Sequence, residues 1–193
     1  MAVEAELYRV NPIENFDTCS MRYELDGGVK FLVLMTHACA EGCGPTIEIR
    51  GERGGVRYRH GRLIEVTGER SRKVSTLEQL HTNMQKGFVR CVRGEESESA
   101  AVATLEVARA HTVALNGASE AAGVVSVPRE FVRETAVAEG KVLRSLEGID
   151  DVFRKCEAGG MMLHESGLVP WSVGGGRKDL RGYRQFGGPK GGV

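Results

Sequence analysis

The step Asp26-Gly27-Gly28, set between two long apolar-rich runs, constrains this chain more than any other feature. Residues 15–25 are mostly β-branched, aromatic or long apolar types, and residues 29–38 run nearly continuously apolar. An Asp-Gly step between such runs predicts a β-hairpin, because a tight primed turn needs positive φ at little steric cost. Phe31, Val33 and Met35 alternate with Leu32 and Leu34, so both faces of the second strand are apolar. Such a strand is expected inside a sheet, covered on each side. A central hairpin is therefore the first expectation.

Around it the pattern stays short-period up to about residue 70. Glu4 to Val10 reads as a first strand, closed by Asn11-Pro12. Thr46 to Arg50 alternates Ile47 and Ile49 with polar neighbours, Gly51 to Gly55 turns, and Val56 to His60 with Arg62 to Thr67 forms another hairpin around His60-Gly61. At Ser75 the period changes: Leu77, Leu80, Met84, Phe88, Cys91 and Val92 fall at helical spacing, with Ser75 or Thr76 as cap and Gly94 as stop. A second helix is expected from Thr104 to about Ala122. Val124 to Phe131 reads as extended, 140–146 as a strand and 149–158 as a helix ending at Gly159-Gly160. Strands followed by helices predict an α+β fold: a mostly antiparallel sheet of five to six or more strands, helices on one face, and the other face open for oligomerisation. Residues 1–172 form the expected domain. Residues 173–193, rich in glycine and carrying Arg177, Lys178, Arg181, Arg184 and Lys190, read as a basic tail, flexible or draped on a surface.

Charge narrows the partners. Lys plus Arg and Asp plus Glu both number 26, which gives no electrostatic reason to expect nucleic acid or an anionic membrane. The N-terminus has neither the basic nor the apolar region of a signal peptide, and no run approaches the length of a membrane span, so a cytoplasmic protein is expected. The 5 cysteines are odd in number and irregular in spacing, which favours reduced thiols.

Motifs for chemistry are sparse. Gly42-Cys43-Gly44-Pro45 lacks a third glycine, places proline where a donor is wanted and leads into a strand, so it does not cradle phosphate. Neither a Gly-Lys-Ser/Thr step nor a Gly-x-Ser-x-Gly elbow occurs. His37, Cys39 and Cys43, with His60 across the sheet, could approach one ion, but the paired-cysteine knuckle of soft-metal sites is missing, and no metal site is assigned. His37 at a strand end suits substrate contact or proton transfer, against the plainer role of a hydrogen-bonded structural residue. Asn15 and Asp17 could hold a ligand or cap their own turn. His111, beside the small-residue stripe of the second helix, reads as a packing residue.

As a whole the chain resembles the C-terminal domain of the Gfo/Idh/MocA oxidoreductases. The residues that carry this are Asn11-Pro12-Ile13-Glu14-Asn15-Phe16-Asp17-Thr18, the strand end Thr36-His37-Ala38, Gly51-Glu52-Arg53-Gly54, and Ala108-Arg109-Ala110-His111-Thr112. The resemblance covers most of residues 3–172 and extends more loosely to Asp179-Leu180-Arg181-Gly182-Tyr183. It implies a domain that supplies the substrate pocket and a dimer surface, while an N-terminal Rossmann domain carries NAD or NADP and a Glu-Lys-Pro motif for hydride transfer with sugars or polyols. This sequence has neither the glycine fingerprint nor Glu-Lys-Pro, and it begins with the second domain already under way. The resemblance thus implies no catalytic residue and no cofactor bound by this chain alone. Asn15, Asp17, Thr36 and His37 are its substrate-facing candidates. A homo-oligomer, a separate Rossmann subunit and a sugar or polyol are the expected partners, and a non-enzymatic binding or scaffold module is the alternative.

Overall fold

Strand β1, Ala2–Arg9, is the axis of the molecule's larger unit. The computed structural model describes residues 1–42, 44–60, 63–68, 72–75, 80–97 and 104–191, and the chain divides into two units, 1–41 with 108–193 and 42–107. In the first unit β1 pairs antiparallel with β2 (Thr18–Glu24), which pairs antiparallel with β3 (Lys30–Thr36). The other side of β1 is shared: β11 (Gly176–Asp179) runs antiparallel along Ala2 to Ala5, and β8 (Val124–Ser126) runs parallel along Leu7 to Arg9.

The hairpin forms where the Asp-Gly step predicts it, but its loop is wider than a two-residue turn. Asp26–Gly28 is a 3-10 turn with Gly27 and Gly28 at φ 81° and 80°, closed by the Leu25 N–H on Val29 O at 2.8 Å. Two consecutive left-handed residues explain the two glycines. Its place in the sheet differs from expectation: among the described residues β3 is an edge strand and β1 the centre. Phe31 is 50% exposed and Met35 is also open. Continuous apolarity fits a covered central strand and an edge strand with an unpartnered face equally well, and local sequence does not separate the two.

Alternation along β1 divides the core. Val3, Ala5 and Leu7 join Cys19, Met21 and Tyr23 against Val113, Ala118 and Ala121 of helix α2 (Leu105–Ala121). Tyr8, on the opposite face, joins Ile149 and Cys156 of α3 (Ile149–Gly159), Leu163 of α4 (Leu163–Ser166), and Trp171. The α+β class is as the sequence predicts, yet helices cover both faces of β1 and β2 where one open face was expected. The reason is distal. The chain after residue 131 returns over the face carrying Glu4, Glu6 and Tyr8, through β9 (Val132–Ala136) paired with β10 (Val142–Leu146), then α3 and α4. The stretch read as a tail also enters the core, since β11 belongs to the sheet and Leu180 is buried against α2.

The second unit is a four-stranded antiparallel sheet in sequential order: β4 (Thr46–Gly51), β5 (Gly54–Arg59), β6 (Leu63–Gly68) and β7 (Arg72–Ser75). The strands thus divide into sheets of five, four and two, where one sheet was expected. Helix α1, Leu80–Val92, follows and stops at Gly94 (φ 73°), whose N–H donates to Cys91 O at 2.9 Å while Glu95 N–H donates to Arg90 O, the wrap-back that satisfies last-turn carbonyls. Cys43, Gly61, Thr76 and Leu77 lie outside the described residues, and Ser75, offered as a cap, instead ends β7.

Candidate functional site

The four substrate-facing candidates surround the entry to the hairpin. Asp17 is buried, and its carboxylate accepts the Val10 N–H at 3.0 Å, the Asn11 N–H at 2.8 Å and the Asn11 side-chain amide at 2.9 Å. These bonds tie the 10–17 loop across its neck, the self-capping role of an Asx side chain. The Thr18 hydroxyl lies 3.2 Å from Asp17 Oδ1 and 2.8 Å from Thr36 Oγ1, and the Ala38 N–H donates to Thr36 Oγ1 at 2.9 Å. Asp17 and Thr36 are thereby linked through Thr18. Asn15 Oδ1 accepts its neighbour Phe16's N–H, and His37 is exposed, with its backbone N–H donating to Asp17 O at 2.8 Å. Among the described residues no group of three or more His, Cys, Asp or Glu side chains is placed to hold a metal. His60 Nδ1 lies 3.1 Å from the Tyr58 hydroxyl, and His111 is exposed on α2.

A denser polar cluster lies on the face of β1 and β2 beneath α4, and the sequence did not announce it. The Glu6 side chain has no solvent exposure. Its oxygens meet the Tyr8 hydroxyl at 2.7 Å, His164 Nδ1 at 2.6 Å and the His164 backbone N–H at 3.2 Å. Burial raises the Glu6 pKa, and the bonds from His164 and Tyr8 pull against that rise. The Tyr8 phenol is pushed well above its usual range by burial and by the Glu6 carboxylate, and its oxygen accepts the Val173 N–H at 3.1 Å. Trp171 packs edge-on against Tyr8 with ring centroids 4.9 Å apart.

Beside this group, Arg22 bridges two carboxylates, Glu4 at 2.7 Å and Glu165 at 2.7 Å. The guanidinium, aided by the Met162 N–H, holds Glu165 below its ordinary range. On the same face the Leu163 N–H donates to the buried Ser20 hydroxyl at 3.2 Å. The cluster therefore clamps residues 162–173 onto β1 and β2. Strand alternation alone gave Glu4, Glu6 and Tyr8 the pattern of a wet face, and their cover comes from residues more than a hundred positions away. The one local signal was His164-Glu165, two titratable residues directly after the apolar Met161-Met162-Leu163 run.

In the 42–107 unit the two sheet faces differ sharply. Register aligns Ile47 with Tyr58 and Ile64, and Ile49 with Val56 and Val66, on one face. None of these six is buried within the chain, and Ile47 and Ile49 are 49% and 61% exposed. The opposite face aligns Glu48, Arg57, Glu65 and Lys73, with ion pairs Glu48–Arg57 and Glu65–Lys73 at 2.9 Å for the latter. A cavity of about 480 Å³ at the hairpin tip is walled by Ile49, Arg53, Gly54, Val56, Val66 and Thr67. Among the described residues no helix is long and apolar enough to cross a membrane. Comparison with known protein families, with characterised proteins and with solved structures yields no match to this chain.

Proposed function

We propose that this chain is the substrate-binding and oligomerisation module of an NAD(P)-dependent sugar or polyol oxidoreductase of the Gfo/Idh/MocA type. The dinucleotide is carried by a Rossmann domain, encoded in the same gene or as a separate subunit. The observation that carries the reading is the sheet β4–β7, which gathers Ile47, Ile49, Val56, Tyr58, Ile64 and Val66 on one face, with Arg72 beside Val66 at its β7 edge, and carries the Glu48–Arg57 and Glu65–Lys73 ion pairs on the reverse. A contiguous apolar face of this kind marks an association surface. The loop and strand-end phrases of the resemblance, from Asn11 to Thr18 and Thr36 to Ala38, support the substrate-binding half. Hydride transfer needs the nicotinamide held against the substrate carbon, and that positioning falls to the partner domain.

A second reading, a binding or scaffold module without chemistry, is favoured by Asp17, which spends its carboxylate on its own loop. One experiment separates the two. Light scattering on the purified chain is expected to give a homodimer, and adding a candidate Rossmann subunit with a sugar or polyol is expected to give NAD(P)H-forming turnover that neither component shows alone. Sugar binding without turnover in the mixture supports the scaffold, and a monomer at high micromolar concentration removes the oligomerisation role.

A further inference from the structure

The charged face of β4–β7 is organised around one shared carboxylate. Register sets Glu48, Arg57, Glu65 and Lys73 in a row, with Arg50, Gly55 and Thr67 in the row toward the β4–β5 turn and Arg59 in the row on the other side. Glu48 Oε1 accepts the Arg50 Nε–H at 2.6 Å, while Glu48 Oε2 accepts the Arg57 Nε–H at 3.0 Å together with a terminal Arg57 N–H. One carboxylate thus fixes two guanidiniums side by side and balances the charge of only one. Lys73 pairs with Glu65 at 2.9 Å. On this face the bases Arg50, Arg57, Arg59 and Lys73 stand against the acids Glu48 and Glu65, a positive excess within a chain whose total is balanced.

Arg50 enters this arrangement through Nε alone. Among the described residues its terminal nitrogens have no partner, and the side chain is 58% exposed. Beside it the surface is hollow. Gly55 places no side chain between Arg50 and Thr67, and a Cβ there would stand 2.8 Å from Ile49 O, so the close backbone requires the gap. The Gly55 N–H donates to Thr67 Oγ1 at 3.1 Å, which holds that hydroxyl against the gap. A cavity of about 720 Å³ lies at this end of the sheet, with Glu48, Arg50, Gly55, Arg57, Thr67 and Lys73 among its walls. Both carboxylates are engaged by bases, the excess charge is positive, and the unused donors form a planar fork. Such a fork matches two oxygens of one oxyanion, and the surrounding field favours a phosphate.

We propose that the charged face of β4–β7 binds a phosphate group, free or carried on a small molecule, with Arg50 as the bidentate contact and Arg57 and Lys73 supplying charge around it. The site lies on the reverse of the face that carries Ile47 and Ile49, and it depends neither on association through that face nor on the oxidoreductase reading.

The test follows the arginine Nε–Hε signals of the ¹⁵N-labelled full chain by NMR. Inorganic phosphate and glycerol 3-phosphate are the probes, and sodium chloride at matched ionic strength is the reference. The expected result is a saturable movement of the Arg50 signal with phosphate that chloride does not produce. Tighter binding of glycerol 3-phosphate identifies an ester as the ligand, and equal binding identifies the phosphate group alone. Arg50→Lys, which keeps the charge but loses the fork, is expected to weaken the response several-fold, read at the Arg57 signal. A Lys variant that binds as tightly as wild type shows attraction by net charge without a fork and overturns the proposal. Equal responses to phosphate and chloride overturn it too, as does phosphate-induced movement confined to other arginines. The wild-type spectra alone decide the matter if the Lys variant does not fold.

Discussion

A glutamate facing inward from a central strand demands compensation, and Glu6 receives it from Tyr8 and His164. Its raised pKa still records the desolvation that these partners only partly offset. The sign of the stability effect follows. Above the ordinary carboxyl value of 4.5, the folded chain holds the Glu6 proton more tightly than the unfolded chain does. Stability therefore declines as pH rises from there through the folded value. Glu165, held low by Arg22, acts the other way, with stability lost as pH falls below the ordinary value, so the two windows do not coincide. Urea unfolding of wild type and Glu6→Gln across mildly acidic pH should show wild type losing stability relative to the variant as pH increases. Parallel curves would mean that Glu6 does not change its proton count on unfolding. Cys156 and Glu165 also lie in the field of this cluster, which is why the comparison uses the difference between two proteins and not either curve alone.

At the level of elements, the last strand is held by a fit between a missing side chain and a large one. A Cβ on Gly117 of α2 would collide with Leu180 Cδ2, so the glycine makes room for the leucine that β11 delivers. Leu180→Ala should cost about 2–5 kcal/mol as a buried large-to-small change, and Gly117→Ala about 1–3 kcal/mol as overpacking. Combined, they should cost clearly less than the sum, since the alanine at 180 vacates the space that the alanine at 117 needs. Additive costs in denaturant melts would show that the two do not share that space. The same contact shows what sequence reading could and could not reach. The Asp26 hairpin, the α2 span and the Gly94 stop were legible because their causes are local. β11 was not, because Gly174-Gly175-Gly176 reads as a flexible tail. In the fold, Gly175 and Gly176 are required by close approach: a Cβ on either would strike the Ala5 or Ala121 carbonyl. The Glu6 cluster escaped for a related reason, since its partners His164 and Val173 are distant in sequence and only the folded chain brings them to β1.

Across the whole molecule, the two units resolve their apolar surface differently. The 1–41 and 108–193 unit buries both faces of β1, whereas the β4–β7 sheet leaves its apolar face half-buried at Val56, Tyr58, Ile64 and Val66 and exposed at Ile47 and Ile49, and lines the other with alternating charges. Burying an isoleucine fully contributes about 1.5–3 kcal/mol. Association costs roughly 4–15 kcal/mol in lost freedom before any contact counts, so a single such residue could not hold a dimer. In a symmetric pair each protomer contributes the same patch; Ile47 and Ile49, 49% and 61% exposed, then supply four half-exposed side chains, or about 3–6 kcal/mol, to which Val56, Tyr58, Ile64 and Val66 add. Ile47→Lys with Ile49→Lys removes that contribution and sets like charges against each other across the two-fold axis. Light scattering should therefore show the wild-type dimer replaced by a monomer in the double variant. Its thermal unfolding, followed at a concentration where both proteins are monomeric, should change little, because these side chains are 49% and 61% exposed in the isolated chain. Glu52→Lys, at the exposed β4–β5 turn, controls for the added positive charge and should leave the dimer intact. A double variant that remains dimeric would move the interface off this face, to the open edge and exposed Phe31 and Met35 of β3.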